Sequence, residues 1–245
     1  MRHKLLSILL GLSAGVLAAL ALPAARAADE FSAAERALFV DNRLGSLQPP
    51  TALRYSFRKA GSLEAGFDDS VLITLRRSAE GGCCAASAEF LHGERQLRLP
   101  DIDSAQGNPV ILYFLERDIR EMERLTKGKA NYFRKRIRMA VYQGATIRSV
   151  QVAWGGKVVD AQEILISPYL DDPLRARFQA LATKQYLFTL SDAVPGGVLS
   201  IRSRVPGASD GAAPLLNEEM QLVAQERSAA AAGPALVAAS PRRQP

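Results

Sequence analysis

The sequence is poor in the side chains that most often carry catalysis and metal binding. Its 245 residues include two histidines, His3 and His92, two cysteines and one tryptophan. His3 lies in a segment that is expected to be cleaved off, so a Ser-His-Asp or Cys-His triad would have only His92 available. His92 opens a His-Gly-Glu sequence typical of an exposed turn. The same count excludes histidine-rich zinc sites.

Cysteine and glycine motifs are equally uninformative about chemistry. Cys83 and Cys84 are adjacent, and there is no CxxC motif. A bridge between neighbours closes a strained ring and no loop, so the pair indicates a turn holding two thiols, with a redox role as the alternative. The glycine pairs lack the spacing of a phosphate-binding loop. We therefore predict no cofactor and no metal, and we do not expect an enzyme.

Two acidic groups are the remaining candidates for a reactive site. Glu64, Asp68 and Asp69 fall near one predicted turn, and Asp171 and Asp172 near another. Paired carboxylates can hydrolyse glycosides or hold calcium. Neither group has calcium-loop spacing, and acids are common at turns and helix starts, so we interpret them as structural, with Asp172 as a helix N-cap before a proline.

The first 27 residues have the pattern of a secretory signal. Arg2 and Lys4 precede an apolar run from residue 5 to 22, and Ala25-Arg26-Ala27 has the small-x-small form of a cleavage site. An uncleaved membrane anchor is the alternative that the length of the run leaves open. We expect cleavage and a periplasmic, secreted protein. Without the three basic side chains of this segment, 28 basic residues face 25 acidic ones, a balance that disfavours nucleic-acid binding.

Alternating apolar and polar residues predict strands joined by tight turns. The period-two pattern begins at Leu53, Tyr55 and Phe57 and recurs in several later segments. We expect a second hairpin around His92-Gly93-Glu94 and a third around Gly155-Gly156. Residues 215–223 are expected to form a final edge strand. The predicted fold is α+β, with a curved, half-barrel-like antiparallel sheet of six to nine strands built from hairpins.

A mid-chain pair of amphipathic helices is expected to pack on this sheet. Asn108 is a suitable N-cap before Pro109, and Gly128 is a suitable C-terminal stop. One face carries the apolar residues Ile111, Leu115, Ile119, Met122 and Leu125, and the opposite face carries Arg117, Arg120, Glu121 and Arg124. A second helix is expected from about Lys129, although residues 132–139 also fit an edge strand.

Further elements complete the predicted domain. A short helix is expected within residues 31–47, and a second short one after Asp172, with Leu174 and Phe178 on its buried face. We assign residues 28–226 to a single domain. Residues 227–245, rich in alanine and proline, are predicted to be a disordered tail.

A dense basic run follows the first mid-chain helix. Lys127 is followed by the residues that we predict to contact a membrane or an anion: Lys129, Arg134, Lys135, Arg136 and Arg138. With Tyr132 and Phe133 interleaved, such a run suits anionic lipid headgroups or an anionic polymer. A solvated helix face with salt bridges to Glu121 and Glu123 is the alternative.

The order of elements over residues 50–205 resembles that of LolA/LolB-type periplasmic carriers, while stretches such as YSFRKAGSLEAGFDDSV resemble exported bacterial proteins of uncharacterised function. The carrier resemblance implies a curved half-barrel with helices over its open face and acyl chains bound inside. Its expected partners are lipid acyl chains, with peripheral membrane contact. The alternative is a structural or protein-interaction module of the envelope that binds another protein through its sheet edges.

Overall fold

The computed structural model describes residues 31–79, 81, 83–105, 107–209 and 211–227. The predicted signal segment and residues 228–245 of the predicted tail lie outside these residues, whereas Arg227, the first residue of that predicted tail, belongs to the last strand. Among the described residues, no helix combines the length and the apolar composition needed to cross a bilayer.

Eight strands form one antiparallel sheet, which is not closed into a barrel. They are β1 (Thr51–Ala60), β2 (Phe67–Arg77), β3 (Cys83–Phe90), β4 (Thr146–Trp154), β5 (Lys157–Ile166), β6 (Gln185–Leu190), β7 (Val198–Val205) and β8 (Leu216–Arg227). The order across the sheet is β3-β2-β1-β8-β7-β6-β5-β4, so β3 and β4 are its edges. The predicted α+β fold with a curved antiparallel sheet is confirmed.

Two strand predictions were wrong in detail. The last strand is central rather than an edge, because β8 pairs with β1 on one side and with β7 on the other. The expected hairpin around His92 has no second strand: after β3 and the 3-10 turn Gly93–Arg95, the chain makes two isolated bridges to β3, Phe90 with Leu97 and Ala86 with Ile102. In contrast, Gly155 and Gly156 both adopt positive φ in a two-residue turn, as predicted.

Helices cover the inner face of the sheet. They are α1 (Ala33–Glu35, continued as a π-helix over Arg36–Val40), α2 (Pro109–Thr126), α3 (Ala130–Gln143) and α4 (Arg175–Phe178, followed by the 3-10 turn Gln179–Thr183). The Asn108 Oδ1 atom accepts a hydrogen bond from the Val110 amide at 3.0 Å, which confirms the predicted N-cap. Residues 132–139 are helical, so the edge-strand alternative is excluded.

The stop of α2 differs from the prediction. Lys127, not Gly128, adopts the left-handed conformation at the C-cap, with φ of 57°. Gly128 has another role: a Cβ atom at this position would lie 2.5 Å from Cζ of Phe133. Glycine is therefore required for the close approach of the turn to the ring of Phe133.

The core lies between the sheet and the two mid-chain helices. Ile111, Leu115, Ile119 and Met122 of α2 are buried, as predicted, in the same hydrophobic core as inward side chains of the sheet such as Phe57. Arg117, however, was placed on the solvent face and is 7% exposed. Arg120 pairs with Glu116 of the same helix at 3.6 Å, whereas Arg117 pairs with Glu218 of the sheet. The helix thus brings charge into the core as well as apolar surface.

Candidate functional site

The five basic residues predicted to contact a membrane or an anion divide into two groups. Arg134 binds both carboxylate oxygens of Glu116, at 2.7 and 3.0 Å. Arg136 lies 2.8 Å from Oδ2 of the buried Asp172 and donates to the carbonyl of Pro168. These two side chains are therefore engaged in ion pairs.

The other three are exposed. In the described part of the chain, Lys129, Lys135 and Arg138 have no ion pair within 4 Å. These three residues are spread along α3: Lys129 is its N-cap residue, and Lys135 and Arg138 lie further along the helix. The helix presents single cations along its length rather than one five-residue site.

Most of the predicted acidic residues are also engaged in pairs, whereas Asp171 is exposed and has no ion pair in the described part of the chain. Glu64 binds Lys59 and Arg124, and Asp69 binds the exposed His92 at 2.6 Å. These contacts hold the turns around β2 in place. Among the described residues, no group of three or more histidine, cysteine or acidic side chains is arranged to hold a metal ion. Cys83 and Cys84 are joined in a disulfide.

A buried polar network lies where α2 meets the sheet. Asp118 and Lys184 are both fully buried and form an ion pair at 2.5 Å, and the Tyr186 hydroxyl donates to the second oxygen of Asp118. Beside them Arg117 binds Glu218 at 2.6 Å, and Ser203 donates to the same oxygen. Both clusters join α2 to strands at the centre of the sheet.

Electrostatics within the network follow from burial and charge. Burial alone would raise the pKa of Glu218, but Arg117, Lys184 and Lys59 outweigh it and hold that pKa below its usual value. Burial, reinforced by Asp118, raises the pKa of Tyr186. The charged groups of the network are therefore paired with one another. It fixes α2 on the sheet and exposes no reactive group to solvent.

Helices α1, α2 and α3 enclose an apolar groove between them, which we call the helix groove. It has a volume of about 550 Å³ and is lined by Phe31, Glu35, Phe39, Val40, Leu112, Leu115, Glu116, Ile119, Arg134, Ile137 and Arg138. Three of its apolar residues are unusually exposed for their type: Phe31 at 38%, Val40 at 40% and Leu112 at 41%. A concave surface with exposed apolar walls is a typical ligand site.

The charges around the helix groove are almost balanced. Glu35 completes the capping box of α1 by accepting from the Ser32 amide at 2.9 Å. Glu116 is bound by Arg134. Two of the charged lining residues, Glu35 and Arg138, have no ion-pair partner in the described part of the chain, and Arg138 is the cation of the two. The groove thus combines apolar walls with one available cation.

A smaller cavity of about 220 Å³ lies at the turn between α2 and α3. Its apolar part consists of Tyr132, Phe133 and Phe178, whose rings contact one another. Its lining also includes Lys127, Lys129 and Arg177, together with Leu174. Leu174 was predicted to be buried but is 40% exposed, because the helix begins only after it.

Sequence reasoning missed the buried network and the groove. Lys59 and Glu218 nevertheless occupy inward positions of their strands, because Lys59 continues the series 53, 55, 57 and Glu218 stands between the buried Leu216 and Met220. A charged residue at an inward position of an alternating strand is the signal that could have revealed them. The groove had no comparable signal, since its walls come from three separate helices.

No family model and no curated protein matches the chain. Among solved structures, the chain is similar to the Mycobacterium tuberculosis lipoprotein LppX, with 6% identity, a TM-score of 0.33 and coverage of 74% of this chain and 88% of that one. It is also similar to the LolA superfamily protein NE2245 from Nitrosomonas europaea, with 8% identity, a TM-score of 0.20 and coverage of 80% and 90%. The predicted resemblance to LolA-type carriers thus recurs as a distant one. At these TM-scores it carries no argument on function, which has to come from the residues themselves.

Proposed function

We propose that the protein is an exported, non-enzymatic carrier that binds an acyl chain of a lipid or lipoprotein in the helix groove. The observation that carries this proposal is the concentration of exposed apolar side chains in one concavity. Phe31, Val40 and Leu112 line the same groove, above a floor that includes Leu115 and Ile119. Covering such a surface with hydrocarbon is favourable, at about 25 cal/mol per Å² of apolar area removed from water.

The size and charge of the helix groove suit an acyl chain with an anionic headgroup. Its volume of about 550 Å³ lies within the range of roughly 300–1,000 Å³ common for ligand pockets. Glu116 is paired with Arg134, and Glu35 accepts a hydrogen bond from the Ser32 amide, so Arg138 is the unpaired cation available to an anionic headgroup. A ligand with a long apolar part and one negative charge matches this distribution.

The concave surface of the sheet, the expected place for the chain, is covered by α2 in this structure. Its inward residues Tyr55, Ile73 and Phe188 are fully buried. For a ligand to reach this surface, α2 would have to move away and break the buried pairs that Asp118 and Arg117 form with the sheet side. Separating buried ion pairs costs several kcal/mol. The proposal therefore places the acyl chain in the groove rather than against the sheet.

Displacement of a fluorescent fatty acid tests the proposal. Replacing Leu112 and Val40 together by glutamine should weaken binding by roughly tenfold or more, because each is about 40% exposed and fully burying an apolar side chain contributes about 1.5–3 kcal/mol. The matched control replaces Leu63 and Val158, which are 42% and 69% exposed and lie outside the groove. Native mass spectrometry of the purified protein should find a co-purifying lipid. Equal binding by both variants would refute the assignment.

One observation favours the second candidate function, an interaction module. The edge strand β4 has nine residues, a regular register to β5 and mostly exposed side chains, with Arg148 as its charged residue. Edges of this kind are usually protected by lysine, proline or a bulge, and they can accept a strand from another chain. Replacing Val150 by proline should abolish such pairing without affecting fatty-acid binding. Pull-down of a partner by the parent but not by this variant would favour this candidate.

A further inference from the structure

The turn between α2 and α3 faces the segment around α4 across the small cavity, and together they carry an unusual charge distribution. Lys127 and Lys129 come from the turn, and Arg177 comes from α4. All three are exposed, and no acidic residue lines the cavity with them. Arg175, next to the cavity, is exposed as well.

Glu123 and Asp172 form no ion pair with these cations and have other hydrogen-bond partners. Glu123 accepts a hydrogen bond from the Ala130 amide at 2.7 Å. Asp172 accepts from the Tyr132 hydroxyl at 2.6 Å and from the Leu174 amide at 2.7 Å, and its other oxygen faces Arg136. In the described part of the chain, the exposed cations have no ion pair within 4 Å. The charge therefore remains available to a partner.

An apolar side chain stands among the cations. Leu174 is 40% exposed and lines the same cavity as Lys127, Lys129 and Arg177. We name the surface formed by Lys127, Lys129, Leu174, Arg175 and Arg177 the turn patch. Cations around an exposed apolar side chain are typical of surfaces that lie at the interface of an anionic bilayer, with the apolar group below the headgroups.

We propose that the turn patch docks the protein on anionic lipid membranes. The occupant is the bilayer surface: phosphate headgroups contact the cations, and Leu174 enters the interface. This inference goes beyond acyl-chain binding and is independent of the helix groove, whose lining shares no residue with the patch. It also revises the predicted contact set, since Lys129 is retained whereas Arg134 and Arg136 are engaged in ion pairs.

Flotation with phosphatidylcholine vesicles containing phosphatidylglycerol measures the docking. Replacing Lys127, Lys129 and Arg177 by glutamine should weaken binding at low salt by roughly a hundredfold, from the contribution of each cation near an anionic surface. High salt should reduce this difference by screening. Pure phosphatidylcholine vesicles should bind neither protein. The three residues are exposed, so melting temperature and circular dichroism should stay unchanged.

A matched control separates the patch from net charge. Replacing Lys135, Lys157 and Arg204 by glutamine removes the same charge from three other exposed positions. This variant should bind the vesicles like the parent. Equal losses in both triple variants would overturn the proposal, because total charge alone would then govern binding. A parent that ignores anionic vesicles at low salt would overturn it too.

Two further experiments test whether the turn patch binds a bilayer surface or a soluble anion. Inorganic phosphate, at the phosphate concentration of the vesicles, should not release the protein; release would identify a site for soluble anions and refute membrane docking. In a Trp154→Phe background, the tryptophan emission of Leu174→Trp should shift to the blue on anionic vesicles. The emission of Val158→Trp, near the β4–β5 turn, should not shift. The turn-patch variant should bind the fluorescent fatty acid like the parent. A failure of the docking proposal can therefore be distinguished from a failure of the groove assignment.

Discussion

Removing the ammonium group of Lys184 tests the buried network directly. Lys184 and Asp118 are fully buried and paired at 2.5 Å, so Lys184→Met leaves a buried carboxylate with the Tyr186 hydroxyl as its described hydrogen-bond donor. Breaking a buried pair in this way costs about 3–5 kcal/mol. Since a domain of this size loses about 2–4 °C per kcal/mol, the melting temperature should fall by roughly 6–20 °C.

The double variant Asp118→Leu with Lys184→Met distinguishes the pair from simple loss of packing. Apolar replacement of both partners of a buried pair is often neutral or stabilising. Tyr186 then loses its acceptor, at a cost of about 1–3 kcal/mol, although the Tyr169 hydroxyl lies 3.5 Å away. We therefore expect the double variant to be more stable than either single variant.

Urea unfolding, followed by circular dichroism, gives the free energy of unfolding of the four proteins of this double-mutant cycle. They are the parent, Asp118→Leu, Lys184→Met and the double variant. Lys157→Met, at an exposed position at the start of β5, is the control and should change stability by less than about 0.5 kcal/mol. A loss below about 1 kcal/mol for Lys184→Met would refute the reasoning, because the carboxylate would then be solvated. Additive single effects would refute it equally, because the two groups would not be coupled.

Other predictions concern the core, the turn and acid stability. Leu115→Asp should cost several kcal/mol and prevent folding, which a solubility and melting assay checks. Gly128→Ala should cost about 1–3 kcal/mol, because its Cβ would overlap the Phe133 ring; Gly144→Ala, whose nearest neighbour is 3.5 Å away, should be tolerated. The pKa of Glu218 is lowered in the fold, so its contribution is present above about pH 4.3, the ordinary glutamate value, and is lost as pH falls through the lowered pKa. Glu218→Gln should be less stable at neutral pH and show a weaker acid dependence in urea titrations.

The sheet and the helix pair were predictable because their signals are local. Alternation at Leu53, Tyr55 and Phe57 determines which face of β1 is buried, and Asn108 followed by Pro109 determines where α2 begins. Such signals need only neighbours in sequence, and the structure confirms them.

Placement of β8 and Arg117 was not predictable in the same way. Pairing of β8 with β1 brings together residues 51 and 227, and nothing in the alternation of residues 216–222 identifies their neighbours. Arg117 was assigned to solvent from its type, because charged residues are buried only when paired. Its partner Glu218 is 101 residues away, so the pair becomes visible only once the strand order is known.

The availability of the predicted membrane contacts also depends on residues that are distant in sequence. The basic run on α3 is continuous in sequence, yet Arg134 and Arg136 are bound by acids from other segments. Charge counted along a helix therefore overstates what is available to a partner. Arg177, from an element 50 residues beyond the turn, joins Lys127 at the small cavity only through the fold.

If both proposals hold, docking and loading occur close together on α3. Lys129 caps this helix and Arg138 lines the groove; nine residues separate them in the numbering, which is roughly 14 Å along a helix. A docked protein would thus hold the groove close to the bilayer, so an acyl chain would have a short path between them. In transfer of a fluorescent lipid between vesicles, the turn-patch variant should lower the rate but not the amount bound in solution. The groove variant should lower both. If the turn-patch variant transfers lipid as fast as the parent, docking is not required for transfer. The groove would then take up its ligand from solution.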